Sequence, residues 1–292
     1  MFSLLLALAT VATAGNSKKK KKEEEKQGYQ FTELKRLPAT SVKSQDRAGT
    51  CWSWSTISFL ESEMMRLGKD SVSLAPMYIV WNTYNEKADK YVRMHGCMNF
   101  AQGGASADVN WAIKNYGIVP LEIYSGLNYG ENIHAHAELD GVLGAYLKVI
   151  VSNPNKKLST AWKKGFDGIL DAYLGAKPEK FTFRGKEYTP MSFYQSTGLN
   201  MDDYISLTSF THHPFYTKFA LEVPDNWIGE ESYNLPLDEL MEVLDKAIDN
   251  GYTFSWGSDV SEIGFLRDGI AIVPDMENTE SSDAEIAKWV KM

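Results

Sequence analysis

Cysteine is scarce: Cys51 and Cys97 are the only two in 292 residues. A disulfide framework for so long a chain needs more, so an apolar core must hold the fold. Positive charge is not in excess either. Thirty Lys and Arg against 38 Asp and Glu give a net charge of -8, which favours solubility and excludes nucleic acid as the main partner. Histidine is sparse, with five residues and none after His213. No glycine-rich phosphate loop is present, because Gly103-Gly104 lacks the lysine and the spacing. His134-x-His136 has no further ligand cluster beside it, so it reads as a solvated face rather than a metal site or a base. No metal and no cofactor is implied, and there is no internal repeat.

What is present suits a packed domain: 43% of the chain is hydrophobic and 12% aromatic. Residues 2–14 form an apolar run too short to cross a bilayer. The run ends in Ala12-Thr13-Ala14, a small-x-small pattern, and reads as a cleaved signal peptide (1–14), although no basic segment precedes it. The chain is then exported, or cytoplasmic if the signal is silent, and keeps no transmembrane span. Residues 15–28 form a charged, low-complexity linker with nothing apolar to bury. Folded sequence starts near Tyr29.

Helices dominate the first half. Trp54, Ile57, Phe59, Leu60, Met64 and Leu67 recur at three- and four-residue steps after Cys51, and Gly68 ends that helix. A second helix spans 74–84 with Pro76 in its first turn, and 85–99 reads as irregular. A third ends at Gly117. Apolar spacing predicts helices over 137–150 and 162–174, a hairpin around Gly185, and a helix from Pro190. Strand-like alternation follows at 205–210 and 216–221. An amphipathic helix at 236–250 is stopped by Gly251. Further strands are expected at 252–257 and 269–274, and a helix at 281–291. Helices early and strands late give the α+β class. Cys97 reads as an inert buried hydrophobe.

The chemistry concentrates in Ser44-Gln45-Asp46-Arg47-Ala48-Gly49-Thr50-Cys51-Trp52-Ser53-Trp54-Ser55. A thiol at a helix N-terminus sits in a positive field that favours thiolate. A thiol nucleophile also needs donors for an oxyanion and a groove that places the carbonyl. The Cys51 N–H and the Gln45 side-chain amide are candidate donors.

Gln45 through Ser55 resembles the papain-family signature, in which a Gln precedes Cys-Trp-x-x-Ser by six residues. The resemblance implies Cys51 as nucleophile and Gln45 as oxyanion donor. Ala48-Gly49-Thr50 replaces the usual Cys-Gly-Ser, which points away from cathepsin-like members. Gln102-Gly103-Gly104 and Tyr116-Gly117-Ile118 resemble the family's Gly-Gly segment, implying that Gly103 and Gly104 bind substrate. There a glycine lets a peptide approach the backbone closely. Residues 174–181, 189–194, 204–207 and 256–260 are similar to segments of bleomycin hydrolase and aminopeptidase C. The likeness covers roughly residues 38–275. It implies a papain-like domain over 29–292, with a helical left part, an insertion at about 131–235, and a β-rich right part that is incomplete. Peptides are the implied substrates and a homo-oligomer the implied assembly.

The departure is equally specific. Papain-like catalysis uses a late histidine as base and an Asn-Ser-Trp-Gly asparagine to orient it. This sequence has neither, and His212-His213 match no such position. The leading expectation is a cysteine peptidase, aminopeptidase-like in intact form. The alternative is a truncated, inactive homologue that binds peptides. A Cys-His transferase on a related fold is a third reading, disfavoured by the Gly-Gly segment.

Overall fold

The structure, a computed structural model, describes residues 31–258, 260 and 261. Residues 31–36 belong to a small N-terminal unit, and the rest of the described chain to a second unit starting at Leu37. The signal, the linker and the elements expected at 269–274 and 281–291 lie outside the described residues.

The second unit is built on a buried helix, α2 (Pro76–Arg93). Its apolar residues run all round the axis: Met77, Tyr78, Ile79, Val80, Trp81, Tyr84, Ala88, Tyr91 and Val92 are buried. A helix of that kind must be enclosed by others. It is enclosed by α1 (Cys51–Arg66), α3 (Ser106–Tyr116), α4 (Ala137–Val151) and α5 (Ala161–Leu174). Leu139, Leu143 and Leu147 of α4, and Phe166, Leu170 and Leu174 of α5, form the stripes that pack on it.

Of the segment expected to be irregular at 85–99, residues 85–93 are instead the second half of α2, and 94–99 are irregular as expected. Among the polar residues of that half, Lys87 is 0% exposed. The Lys87 ammonium donates to the carbonyls of Ala101 at 2.8 Å and Gly103 at 2.7 Å, so a charge occupies a core position without being orphaned. Cys97 is exposed, contrary to the buried reading. His95 and Gly96, both at positive φ, end the turn after α2 and bring the chain to the surface.

The hairpin forms as expected. β1 (Phe181–Phe183) pairs antiparallel with β2 (Lys186–Tyr188) across Arg184 and Gly185, whose φ values are 50° and 77°. That is the paired positive φ of a two-residue hairpin loop. The short helix α6 (Pro190–Thr197) has Pro at its start, and the Thr189 hydroxyl accepts from the Ser192 N–H at 3.1 Å. Beyond it, β3 (Leu207–Thr208), β4 (Lys218–Ala220) and β5 (Glu231–Asn234) form a sheet of order β3-β5-β4, with β3 parallel and β4 antiparallel to β5. The helix α7 (Leu237–Asp249) carries the expected amphipathic stripe, yet none of its residues is buried. Residues 252–257 form no strand. No described helix is long and apolar enough to cross a membrane.

Candidate active site

Cys51 is the first residue of α1, exposed, and makes no side-chain hydrogen bond to any described residue. Helix α1 is fixed beneath it by its own buried face. Ser53 Oγ donates to the Pro76 carbonyl at 2.9 Å, tying the first turn of α1 to the start of α2. Farther down, the buried Glu61 carboxylate accepts from the Leu74 N–H at 2.7 Å, from Lys43 Nζ at 2.8 Å and from the Thr40 hydroxyl. A buried carboxylate so paired is satisfied rather than reactive.

The loop before Cys51 folds tightly on itself. Gln45 Nε2 donates to the Ala48 carbonyl at 2.7 Å, and the Ala48 N–H donates to the Gln45 carbonyl at 3.3 Å. An amide side chain has two N–H donors, so one remains beyond the bond to Ala48. Asp46 has φ 53°, and its N–H donates to Ser44 Oγ at 3.0 Å. A non-glycine residue there is strained and needs bracing.

The brace comes from the inserted segment His134-Ala135-His136. The Arg47 N–H donates to the His134 carbonyl at 2.7 Å, the His136 N–H to the Arg47 carbonyl at 3.4 Å, and the His134 N–H to Asp46 Oδ2 at 3.0 Å. The latter bond, then Ser44, holds the Asp46 carboxyl below its ordinary range. The two imidazoles are buried, not solvated. Their rings are 5.9 Å apart, and His134 meets Trp54 of α1 edge-on at 5.3 Å. Both His136 nitrogens and His134 Nδ1 lack a hydrogen-bond partner. Burial, then His134, pushes His136 down to about 4, and burial lowers His134 against the pull of Asp46. This pair is a neutral structural wedge, with no group of three or more metal-binding side chains among the described residues.

The glycine pair stands beside the thiol loop. Gln102 joins them: its Oε1 accepts from the Gly49 N–H at 2.8 Å, and its carbonyl accepts from the Trp52 indole at 3.0 Å. A Cβ on Gly104 would lie 2.7 Å from Asp108 Oδ2 and 2.8 Å from the Trp52 ring. A Cβ on Gly103 would clash with the Asp225 carboxylate. Asp108 is buried at the start of α3, where its Oδ2 accepts from the Ala105 N–H at 2.9 Å. Burial, opposed by that bond, pushes its carboxyl up to about 6. Sequence reasoning singled out Gln45, Cys51, Gly103 and Gly104 as candidates, and the structure sets the Gln45 loop, Cys51 and the glycine pair side by side through Gln102. It did not single out Lys87, Asp108, Asp225 or the histidine brace, which come to this neighbourhood from distant segments; only Asp108, three residues into α3, carries a local capping signal.

All five histidines are among the described residues, and none is hydrogen-bonded to Cys51. His95 lies after α2, His134 and His136 under the loop, and His212 and His213 against Phe219 of β4.

No family model matches the chain. It is 23% identical over 293 aligned positions to Aminopeptidase C of Streptococcus thermophilus, covering 85% of this chain and 65% of that protein. It is 24% identical over 264 positions to Aminopeptidase G of Lactobacillus delbrueckii subsp. lactis, covering 77% of this chain and 60% of the other. The fold is similar to the crystal structure of PepW from Lactobacillus rhamnosis HN001, with a TM-score of 0.61 and 21% identity over 84% of this chain and 65% of that one. The chain thus spans less than two thirds of the length of each of these relatives.

Proposed function

From its kinship with the aminopeptidase C and bleomycin hydrolase family, we propose that the chain carries the nucleophile and substrate-groove portion of a papain-like cysteine peptidase acting on peptides, with aminopeptidase-like preference. The observation that carries this reading is the junction at α1. An exposed thiol opens the helix, Gln45 is folded into the loop before it, and Gln102 fastens that loop to Gly103 and Gly104.

In this reading the Cys51 thiolate adds to the scissile carbonyl. The Cys51 N–H and the free Gln45 N–H stabilise the oxyanion. The C–N bond then breaks, the amine leaving with a proton that a general acid from outside the described residues would have to supply, and water hydrolyses the thioester. The groove backbone at Gly103 and Gly104 lies alongside the substrate. Export by the N-terminal segment and self-association belong to the same proposal.

The imidazole is the demand this chain does not meet beside Cys51. That observation favours a second reading, a peptide-binding chain without turnover. An epoxysuccinyl thiol probe separates the two. Thiolate opening of the epoxide leaves a thioether that peptide mapping locates. Rapid labelling confined to Cys51 near neutral pH, with turnover of an aminoacyl fluorogenic substrate, supports the peptidase. Labelling of Cys51 no faster than exposed Cys97, without turnover, rules the enzyme out for this chain.

A further inference from the structure

We propose that Lys177 is a Schiff-base lysine, whose amine captures small neutral aldehydes as an imine in the cleft between α2, α5 and the segment that follows α5. The proposal is independent of the peptidase reading, since none of the groups around Lys177 belongs to the thiol loop or the glycine pair.

Lys177 lies just beyond α5, on a segment with little freedom. Gly175 ends the helix at φ 90°, its carbonyl accepts from the Tyr124 hydroxyl at 2.9 Å, and Pro178 follows. The lysine side chain crosses to α2. Its Nζ stands 3.7 Å from the centroid of the Trp81 ring and 5.4 Å from that of Tyr116, and it donates to Asn82 Oδ1 at 2.5 Å. Asn82 is buried, and its Nδ2 donates to the Tyr78 carbonyl at 2.8 Å, which fixes the amide with its oxygen toward the lysine. An amide oxygen accepts from an ammonium or from a neutral amine, so this contact survives loss of the proton.

The charges nearby are already engaged. On α5, Asp171 accepts from the Trp81 indole at 3.0 Å and Asp167 accepts from Asn85. On α2, Glu86 accepts from the Tyr116 hydroxyl at 2.6 Å. Lys163 of α5 donates to the Asn85 carbonyl at 2.8 Å and pairs with Asp89 at 3.5 Å. No described carboxylate forms a salt bridge with Lys177. Burial therefore outweighs Asp167, Asp171 and Glu86 and, with Lys163, lowers the amine to about 8. That is about 300-fold in the proton equilibrium, against the roughly tenfold by which an aromatic face favours an ammonium. Desolvation of this kind is how a lysine becomes a nucleophile toward carbonyl compounds.

The cleft has a volume of about 400 Å³. Trp81, Tyr78 and Pro190 give it apolar walls, and Asp167, Asp171 and Glu179 make it acidic. The carboxylates repel an anionic carbonyl compound, and the walls take the tail of a neutral one. The amine lone pair adds to the aldehyde carbon. The carbinolamine so formed loses its oxygen as water, which carries off both amine hydrogens, and the C=N bond remains. The step needs no further reactant.

Reductive trapping tests this on the full chain. Butanal with cyanoborohydride converts each imine to a secondary amine that peptide mapping locates. The exposed Lys157 and Lys180 are internal references. At pH 7, Lys177 is expected to be alkylated about tenfold faster than either, its lower basicity offsetting part of the gain in neutral amine. The ratio falls as pH rises toward 9, because the reference lysines gain neutral amine while Lys177 is already deprotonated. Glyoxylate, an anionic aldehyde, shows no such preference. Lys177→Arg loses the fast site, and its Cys51 reacts with the epoxysuccinyl probe at the unmodified rate. Equal rates at Lys177 and the reference lysines, a ratio that does not change with pH, or the same preference with glyoxylate overturns the proposal.

Discussion

Replacing His136 with leucine should flatten the acid limb of the stability curve. His136 is 0% exposed, and neither ring nitrogen is partnered. Burial and the neighbouring His134 lower it from 6.5 to about 4. The unfolded chain therefore binds more protons than the folded one between those values. Stability from the neutral ring is whole above pH 6.5, declines as pH falls, and is gone below about 4. The shift corresponds to about 3 kcal/mol over that window. His134 is lowered as well and is coupled to it, so the pair titrates together. Asp46 opposes the shift at His134. Asp108 and Asp140, both raised by burial, slope the other way; the substitution leaves them in place, so they cancel in the difference. Urea unfolding of the chain and of His136→Leu at pH 7 and pH 4.5 is the assay. Stabilities within about 1 kcal/mol of each other are expected at pH 7, because leucine leaves no polar atom unpaired. At pH 4.5 the variant should be the more stable by about 2 kcal/mol. Parallel losses for the two proteins would refute the wedge.

Three other perturbations have distinct outcomes. Gly104→Ala forces a Cβ to within 2.8 Å of the Trp52 ring and should cost about 1–3 kcal/mol in thermal unfolding; Gly103→Ala meets the exposed Asp225 side chain, which can swing away, and should cost less. Lys87→Met strands the Ala101 and Gly103 carbonyls and should lower stability by about 2–4 kcal/mol in denaturant titration. Gln102→Ala removes the acceptor for the Gly49 N–H; a loss of about 1 kcal/mol and faster amide exchange at Gly49 are expected, and unchanged exchange would mean the bond does not hold the loop.

Apolar periodicity was enough for the elements whose stripes face α2. The leucines of α4 and the Phe166–Leu170–Leu174 row of α5 specify their helices and their buried faces together. Periodicity misled where burial is polar. Lys87 looks like a solvated loop residue because a sequence carries no sign of the two carbonyls, 14 and 16 positions on, that accept its protons. His134 and His136 look solvated for the same reason: the partner of their backbone is Arg47, far upstream. For α7 the stripe was legible but its cover was not, and Leu237 is 61% exposed.

At Gly103 and Gly104 the motif's reason for glycine and the packing's reason are different. A motif argument explains glycine by the ligand: a peptide needs room beside the backbone. The structure supplies a second cause, since the space a side chain would take at Gly104 holds Trp52 and Asp108, and at Gly103 holds Asp225. The two causes make different demands. If the ligand alone required glycine, an alanine at either position would impair binding and leave the fold intact. With Trp52 and Asp108 packed against it, Gly104 is also tied to α1, and its substitution must disturb stability and the surroundings of Cys51 together. Gly103 faces a carboxylate that is free to move, so there the ligand cause and the packing cause separate. Measuring unfolding and peptide binding on both alanine variants therefore tells which glycine serves the groove and which serves α1.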